Sequence, residues 1–327
     1  MILLRLQKQF CSACLSLSTN HYPLPTIHYP LTTVLMVWYH KNMVENNRNF
    51  ANVVMVDRQL LNYSGVVGSY AVRLRTANRI ALFSLTGRMI NLVAAPHTCG
   101  PDFILFDRLP GLDESLPEDG WVFENASLTV PFVGKLNLAG APGFFESDAS
   151  IGVRDFPGHL KSMISRRLRQ PDCEFLKELE QPLDTLAKSI KEHLIESAEI
   201  PVIGVAGLGD GEVAAGDAAL CGMLLTTRCF SFGGRFKMSW FQRLAVEIRR
   251  FLHRSGSYGR NWINYAIDGR MTETQQLFFN AMARDFEGAG ELFVKKIADD
   301  DVINGKAFLA GVNLILDMIQ SGVFSRG

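Results

Sequence analysis

Apolar residues in the first half of the chain fall in short blocks separated by turn residues. Residues 51–56, 66–74, 80–83, 89–93, 103–106, 121–123 and 128–132 are each rich in β-branched or aromatic side chains. Thr86-Gly87, Leu109-Pro110-Gly111 and Asp119-Gly120 punctuate them. Glycine and proline supply the backbone angles that reverse a chain, so the blocks read as strands joined by turns. Many short strands at roughly even spacing predict an antiparallel β sandwich or barrel.

Beyond about residue 172 the period changes. Leu176, Leu179, Leu183, Leu186, Ile190 and Leu194 recur three and four apart, which places them on one face of a helix. Phe241, Leu244, Ile248, Phe251 and Leu252 mark another. Its end carries Arg249, Arg250 and Arg254, which suit the negative end of a helix dipole. Thr272 and Gln275 have the spacing of a capping box ahead of Leu277, Phe278 and Met282. Phe308, Val312, Ile315 and Ile319 form a last apolar face, with Gly322 as a stop. The expected architecture is α+β: an N-terminal antiparallel β sandwich or barrel over residues 46–150, then a mainly helical domain over 151–327. Residues 1–45 have no such period and carry Pro23, Pro25 and Pro30, so they read as an extension outside the core. Met36 and Met43 are alternative first residues within it.

Composition narrows the classes. Hydrophobic residues make up 47% and charged ones 20% of 327 residues, which suits a folded protein rather than a disordered one. Lys plus Arg equals Asp plus Glu at 33 each, so no global field attracts nucleic acid or an anionic membrane. The run Arg166-Arg167-Leu168-Arg169 has no interleaved aromatics and reads as helix surface. Apolar runs stay well below the ~20 residues of a membrane helix. Cys11, Cys14, Cys99, Cys173, Cys221 and Cys229 are scattered, as in a reduced, cytoplasmic protein, and the Cys11/Cys14 pair has no second pair to complete a zinc site.

The least ordinary segment is a glycine-rich turn. Residues 201–206 read as an extended, buried stretch; Gly207-Leu208-Gly209-Asp210-Gly211 follows, then Gly216-Asp217 and an apolar helix containing Gly222. Glycines here permit positive φ and close approach of a ligand, and the free N–H groups of the following helix favour an anion. The spacing is neither that of a dinucleotide-binding turn nor that of a P-loop. A packed structural turn and a ligand site both fit these residues. Asp210, Glu212 and Asp217 would repel an anion unless Mg²⁺ or a basic side chain, with Arg260 and Lys306 as candidates, stood between them.

The turn resembles the signature of the AllH-like family, the YlbF and YahE type of bacterial protein. Gly207-Leu208-Gly209, Gly211, Gly216-Asp217 and Gly222 are kept. The chain departs from it at the Thr-Pro step, where Ala214 and Ala215 stand, and at Ala218, which replaces a second Asp. Asn304-Gly305 through Gly311 looks like a later family segment with Asn for Ser, and residues 89–93 and 99–101 look like landmarks of the β domain. The resemblance implies a subunit associated with bacterial oxamate carbamoyltransferase, in purine or allantoin-type breakdown. It also implies an FdrA-like protein and a third operon-encoded partner. A non-catalytic scaffold or regulatory partner with a degenerate site is the alternative. On the first of these readings the expected ligand-binding residues are Gly207, Gly209, Gly211, Gly216, Asp217, Asn304 and Gly305, for a small anionic metabolite. No catalytic residue is assigned.

Two other segments carry metal-capable side chains: His97-Thr98-Cys99 with Asp102, and Asp299-Asp300-Asp301. Neither has the spacing of a deaminase or an EF-hand site. They read as a strand-end loop and a helix end, and no metal site is assigned to either.

Overall fold

The computed structural model describes residues 52–62, 67–94, 97, 99–107, 109, 117–131, 134–144, 151–155, 158–193, 202–284 and 289–322. The 1–45 extension with Cys11 and Cys14, the Pro110-Gly111 turn, Phe132 and Leu194 lie outside these residues. All described residues belong to one compact unit, Arg48–Gly327.

The N-terminal half forms one nine-stranded sheet. Its strands are β1 (Val53–Asp57), β2 (Gly68–Thr76), β3 (Arg79–Ser84), β4 (Met89–Ala94), β5 (Phe103–Phe106), β6 (Trp121–Glu124), β7 (Ser127–Val130), β8 (Gly134–Asn137) and β9 (Gly143–Phe144). A one-turn helix, α1 (Arg58–Asn62), follows β1. The order is β8-β7-β6-β2-β3-β4-β5-β1-β9, antiparallel except for the β4–β5 and β1–β9 pairs, which are parallel. The seven apolar blocks of the sequence supply β1 to β7, and the turns at Gly87 and Gly120 both have positive φ.

The sheet curls, as a half-barrel, so that its two faces close two separate cores. Ile80, Leu82, Ile90, Leu92 and Ile104 pack with Trp121, Phe123 and Leu128 inside the curl. Ala81, Phe83, Met89, Val93 and Phe103 face the helices. Every residue of β4 is buried, which is why β4 reads as an apolar run interrupted only by Asn91 rather than as an alternation.

The second half is mainly helical: α2 (Gly158–Leu168), a 3₁₀ turn at Pro171–Leu176, α3 (Lys177–His193), α4 (Ala215–Phe232), α5 (Met238–Arg250), α6 (Ser257–Asp268), α7 (Glu273–Arg284), α8 (Ala289–Ala298) and α9 (Gly305–Gln320). The capping box forms as its spacing predicts. The Thr272 amide donates to Gln275 Oε1 at 2.9 Å, and the Gln275 amide donates to Thr272 Oγ1 at 3.2 Å. Gly269 caps α6 in the left-handed conformation.

The central helix is α4, buried along almost its whole length. It crosses α9 where both carry glycine. A Cβ on Gly222 would collide with the Phe308 carbonyl oxygen, and one on Gly311 with that of Ala219. Cys221 and Cys229 lie within α4, and burial pushes both thiols well above their ordinary range. Among the described residues no helix is long and apolar enough to cross a membrane.

Candidate functional site

The glycine-rich turn enters α4 with its glycines doing two different jobs. Gly207 has a φ of +72°, and a Cβ there would collide with the Arg254 carbonyl oxygen. Both the angle and the space therefore demand glycine. Gly216 sits against the Val205 carbonyl oxygen and donates its amide to Leu208 O at 2.8 Å. Asp217 is fully buried; its Oδ1 accepts from the Gly207 amide at 2.8 Å and from Ser255 Oγ at 2.7 Å. Oδ2 lies against Gly259 of α6, where a Cβ would meet it. Burial raises the Asp217 carboxyl above its ordinary pKa, against those two hydrogen bonds. Gly207, Gly216 and Asp217 thus tie the turn to α6 and the segment before it.

The outer part of the turn faces open space. Gly211, at φ +107°, Glu212 and Val213 form one wall of a cleft of about 530 Å³. Asp299 to Val302 and Asn304 to Lys306, between α8 and α9, form the second wall. Thr76, Arg79 and His97 come from the sheet. The cleft therefore lies where the sheet meets the helices, as ligand sites commonly do. A smaller cavity of about 370 Å³ shares Phe175 and Gly211 with it and includes Gly209 and Asp210.

Arg79 is the group that this geometry singles out. It opens β3 at the position that shares a face with Ala81 and Phe83, so strand alternation turns it toward the helices. Only 3% of its side chain is exposed. The guanidinium lies over the Tyr258 ring at 4.5 Å, and its Nε donates to Tyr258 Oη at 3.1 Å. Tyr258 in turn donates to Asn91 Oδ1 at 2.6 Å. Arg79 Nη2 approaches Glu212 Oε2 at 2.8 Å. Among the described residues Nη1 has neither an ion pair nor a hydrogen bond.

The remaining charges are mostly negative. The Glu212 side chain is 33% exposed, and partial burial raises its carboxyl despite Arg79. Asp300 Oδ1 accepts from the Val302 amide at 3.0 Å; burial pushes this carboxyl up to about 6. Asp301 is 84% exposed at its side chain and lies 3.8 Å from His97 Nδ1. Burial lowers the His97 pKa, with Asp301 opposing the shift. Lys306 also lines the cleft, but its ammonium is held by the Asp172 carboxylate at 2.8 Å.

Of the residues expected from sequence, Gly211, Asn304 and Gly305 come together in the larger cleft, and Gly209 joins Gly211 in the smaller one. Asn304 takes a left-handed conformation, and its Nδ2 donates to Val213 O at 3.4 Å, which ties the two walls together. Gly207, Gly216 and Asp217 line neither space. Arg260 is exposed on α6 and lies outside both. Arg79 and His97 had only weak linear signals: an Arg on the inward parity of an apolar strand, and a His just past a buried one. Ala218 is buried in α4, where a carboxylate would need partners.

No family model, curated protein or solved structure matches this chain.

Proposed function

We propose that this protein is a metabolite-binding subunit that holds a small carboxylate or phosphate compound in the cleft between Arg79, Gly211 and Asn304. On the family resemblance, it works within a carbamoyltransferase-like complex of purine or allantoin-type breakdown, beside an FdrA-like protein and a third partner. The observation that supports this best is Arg79: a buried guanidinium, held in place by Tyr258, with one nitrogen left over on a cleft of metabolite size. A pre-positioned, desolvated guanidinium nitrogen makes a strong charge-assisted hydrogen bond to a carboxylate or phosphate oxygen. The left-handed backbone at Gly211 and Asn304 allows close approach on the other two walls.

A second reading has its own support. Glu212 already partners Arg79, and Asp300 and Asp301 add negative charge nearby, which suits a scaffold whose anion site has decayed. Calorimetric titration of the full chain with oxamate, oxalurate and carbamoyl phosphate, with and without Mg²⁺, separates the two. Saturable binding of one of these, lost at least tenfold in Arg79→Gln, is expected. Absence of binding to both the isolated chain and the reconstituted three-subunit complex would reject the anion site. Carbamoyl transfer that survives removal of this chain from the complex would assign it the scaffold role.

A further inference from the structure

The sheet and the α8–α9 connection bring together side chains some two hundred residues apart in sequence. His97 follows β4; Asp300 and Asp301 follow α8. One donor atom from each lies within 4.8 Å of the other two, on the wall of the 530 Å³ cleft. We propose that His97, Asp300 and Asp301 bind a single divalent cation of the Mn²⁺ or Zn²⁺ class, with open coordination positions facing the cleft.

Charge pairing sets these residues apart from their neighbours. Glu212 lies against Arg79, and Asp299 is within 3.7 Å of Arg167. Among the described residues neither Asp300 nor Asp301 has a Lys or Arg within ion-pair distance, with Arg79 acting on Asp300 only from further off, although the two are adjacent in sequence and share one wall. Two neighbouring carboxylates without a cation repel each other, and a single divalent ion would neutralise both. The imidazole decides the class of ion. A nitrogen donor beside two carboxylates suits a first-row transition ion, whereas Mg²⁺ and Ca²⁺ favour oxygen alone.

Distance allows it as well. Ligand bonds of about 2.0–2.2 Å place donors on one ion roughly 3–4 Å apart. The exposed Asp301 carboxylate is free to rotate inward by the small remainder. Asp300 is already oriented by the Val302 amide, which plays the part of an outer-shell hydrogen bond. Three protein ligands leave positions open, and the cavity with the buried Arg79 guanidinium lies on that side. The ion and the guanidinium would then present two positive groups to one ligand, although the metal site stands without any assumption about the anion.

The test uses the metal alone. The full-length chain, stripped with a chelator, is titrated with Mn²⁺ by electron paramagnetic resonance and with Zn²⁺ by calorimetry. One ion per chain is expected, with Mg²⁺ competing at least tenfold less well than Mn²⁺. Asp301→Asn and His97→Ala should each weaken binding at least tenfold, and the nitrogen coupling to bound Mn²⁺ should vanish in His97→Ala. Asp301 is exposed enough that its replacement leaves the fold intact, which circular dichroism checks. Arg79→Gln should leave Mn²⁺ affinity undiminished even where it abolishes anion binding, so the two proposals fail separately. No saturable binding of either ion, or binding unchanged in both ligand variants, would overturn the metal site.

Discussion

Two charged clusters sit on the seam between sheet and helices, and they solve the same problem differently. In the first, Asp57 and Asp102 are both almost completely buried. Asp57 Oδ2 accepts from the Asp102 amide at 2.6 Å and from Arg270, and Asp57 Oδ1 accepts from the Gln59 amide at 3.0 Å. Asp102 accepts from Tyr265 Oη at 2.7 Å and lies 3.4 Å from both Arg88 and Arg270. Each carboxylate meets donors on several sides, and neither lines the two cavities described above. The second cluster, around Arg79, has surplus carboxylates, an unused guanidinium nitrogen and a cleft. A closed cluster of this kind fastens two layers together; an open one leaves interactions for something that arrives from solution.

The largest expected effect is on the closed cluster. Arg270→Met should destabilise the fold by about 3–5 kcal/mol, because it leaves Asp57 and Asp102 buried with less compensating charge. For a unit of this size that is a fall of roughly 10 °C in melting temperature, read by calorimetry. Arg79→Met should cost less than half as much, since the Glu212 side chain is 33% exposed and can turn to water. Equal losses from the two substitutions would erase the distinction between the clusters.

The same contrast runs through the glycine turn. Gly216→Ala drives a methyl into the Val205 carbonyl and should cost about 3 kcal/mol, measured by urea unfolding. Gly211→Ala meets only the Val213 carbonyl oxygen at 3.6 Å, so its cost is the strain of a positive φ, about 1 kcal/mol. A Gly211→Ala loss as large as that of Gly216→Ala would mean that the outer turn is packed like the inner one.

The smallest effect concerns Asp300 in the metal-free protein. Its folded pKa of about 6 lies above the ordinary 3.8, so the native state binds this proton more tightly than the unfolded chain. The contribution of this group to stability is therefore full below pH 3.8 and is lost as pH rises through about 6. Asp300→Asn keeps an acceptor for the Val302 amide and removes the buried charge. It should raise stability at pH 7–8 by about 1–2 kcal/mol and flatten the pH profile between 4 and 6. A variant less stable than wild type at pH 8 would show that Asp300 is not held in an unfavourable charged state.

Local chemistry made much of this legible in the sequence. The blocks that became β1 to β7, the Thr272–Gln275 box and the apolar faces of α3, α5 and α9 all depend on neighbours within a few residues. The helix α6 was obscured because its buried Tyr258, Trp262 and Tyr265 alternate with glycine, asparagine and arginine. The parallel β4–β5 and β1–β9 pairs were not visible, since strand order depends on contacts distant along the chain. The site was half legible for the same reason. Gly209, Gly211, Asn304 and Gly305 announce themselves as local backbone features, whereas Arg79, His97 and Asp300 meet only once the sheet has docked on the helices.

The glycine crossing of α4 and α9 has a mechanical consequence. Each helix carries one wall of the cleft at its N-terminal end, the glycine turn on α4 and Asn304 on α9. At Gly222 and Gly311 the two backbones touch so closely that sliding one past the other would push a carbonyl into a main chain. Shear between these walls is blocked, and they travel as a single jaw. Any closure of the cleft has to come from the opposite side, the ends of the central strands β3 and β4 near Arg79 and His97.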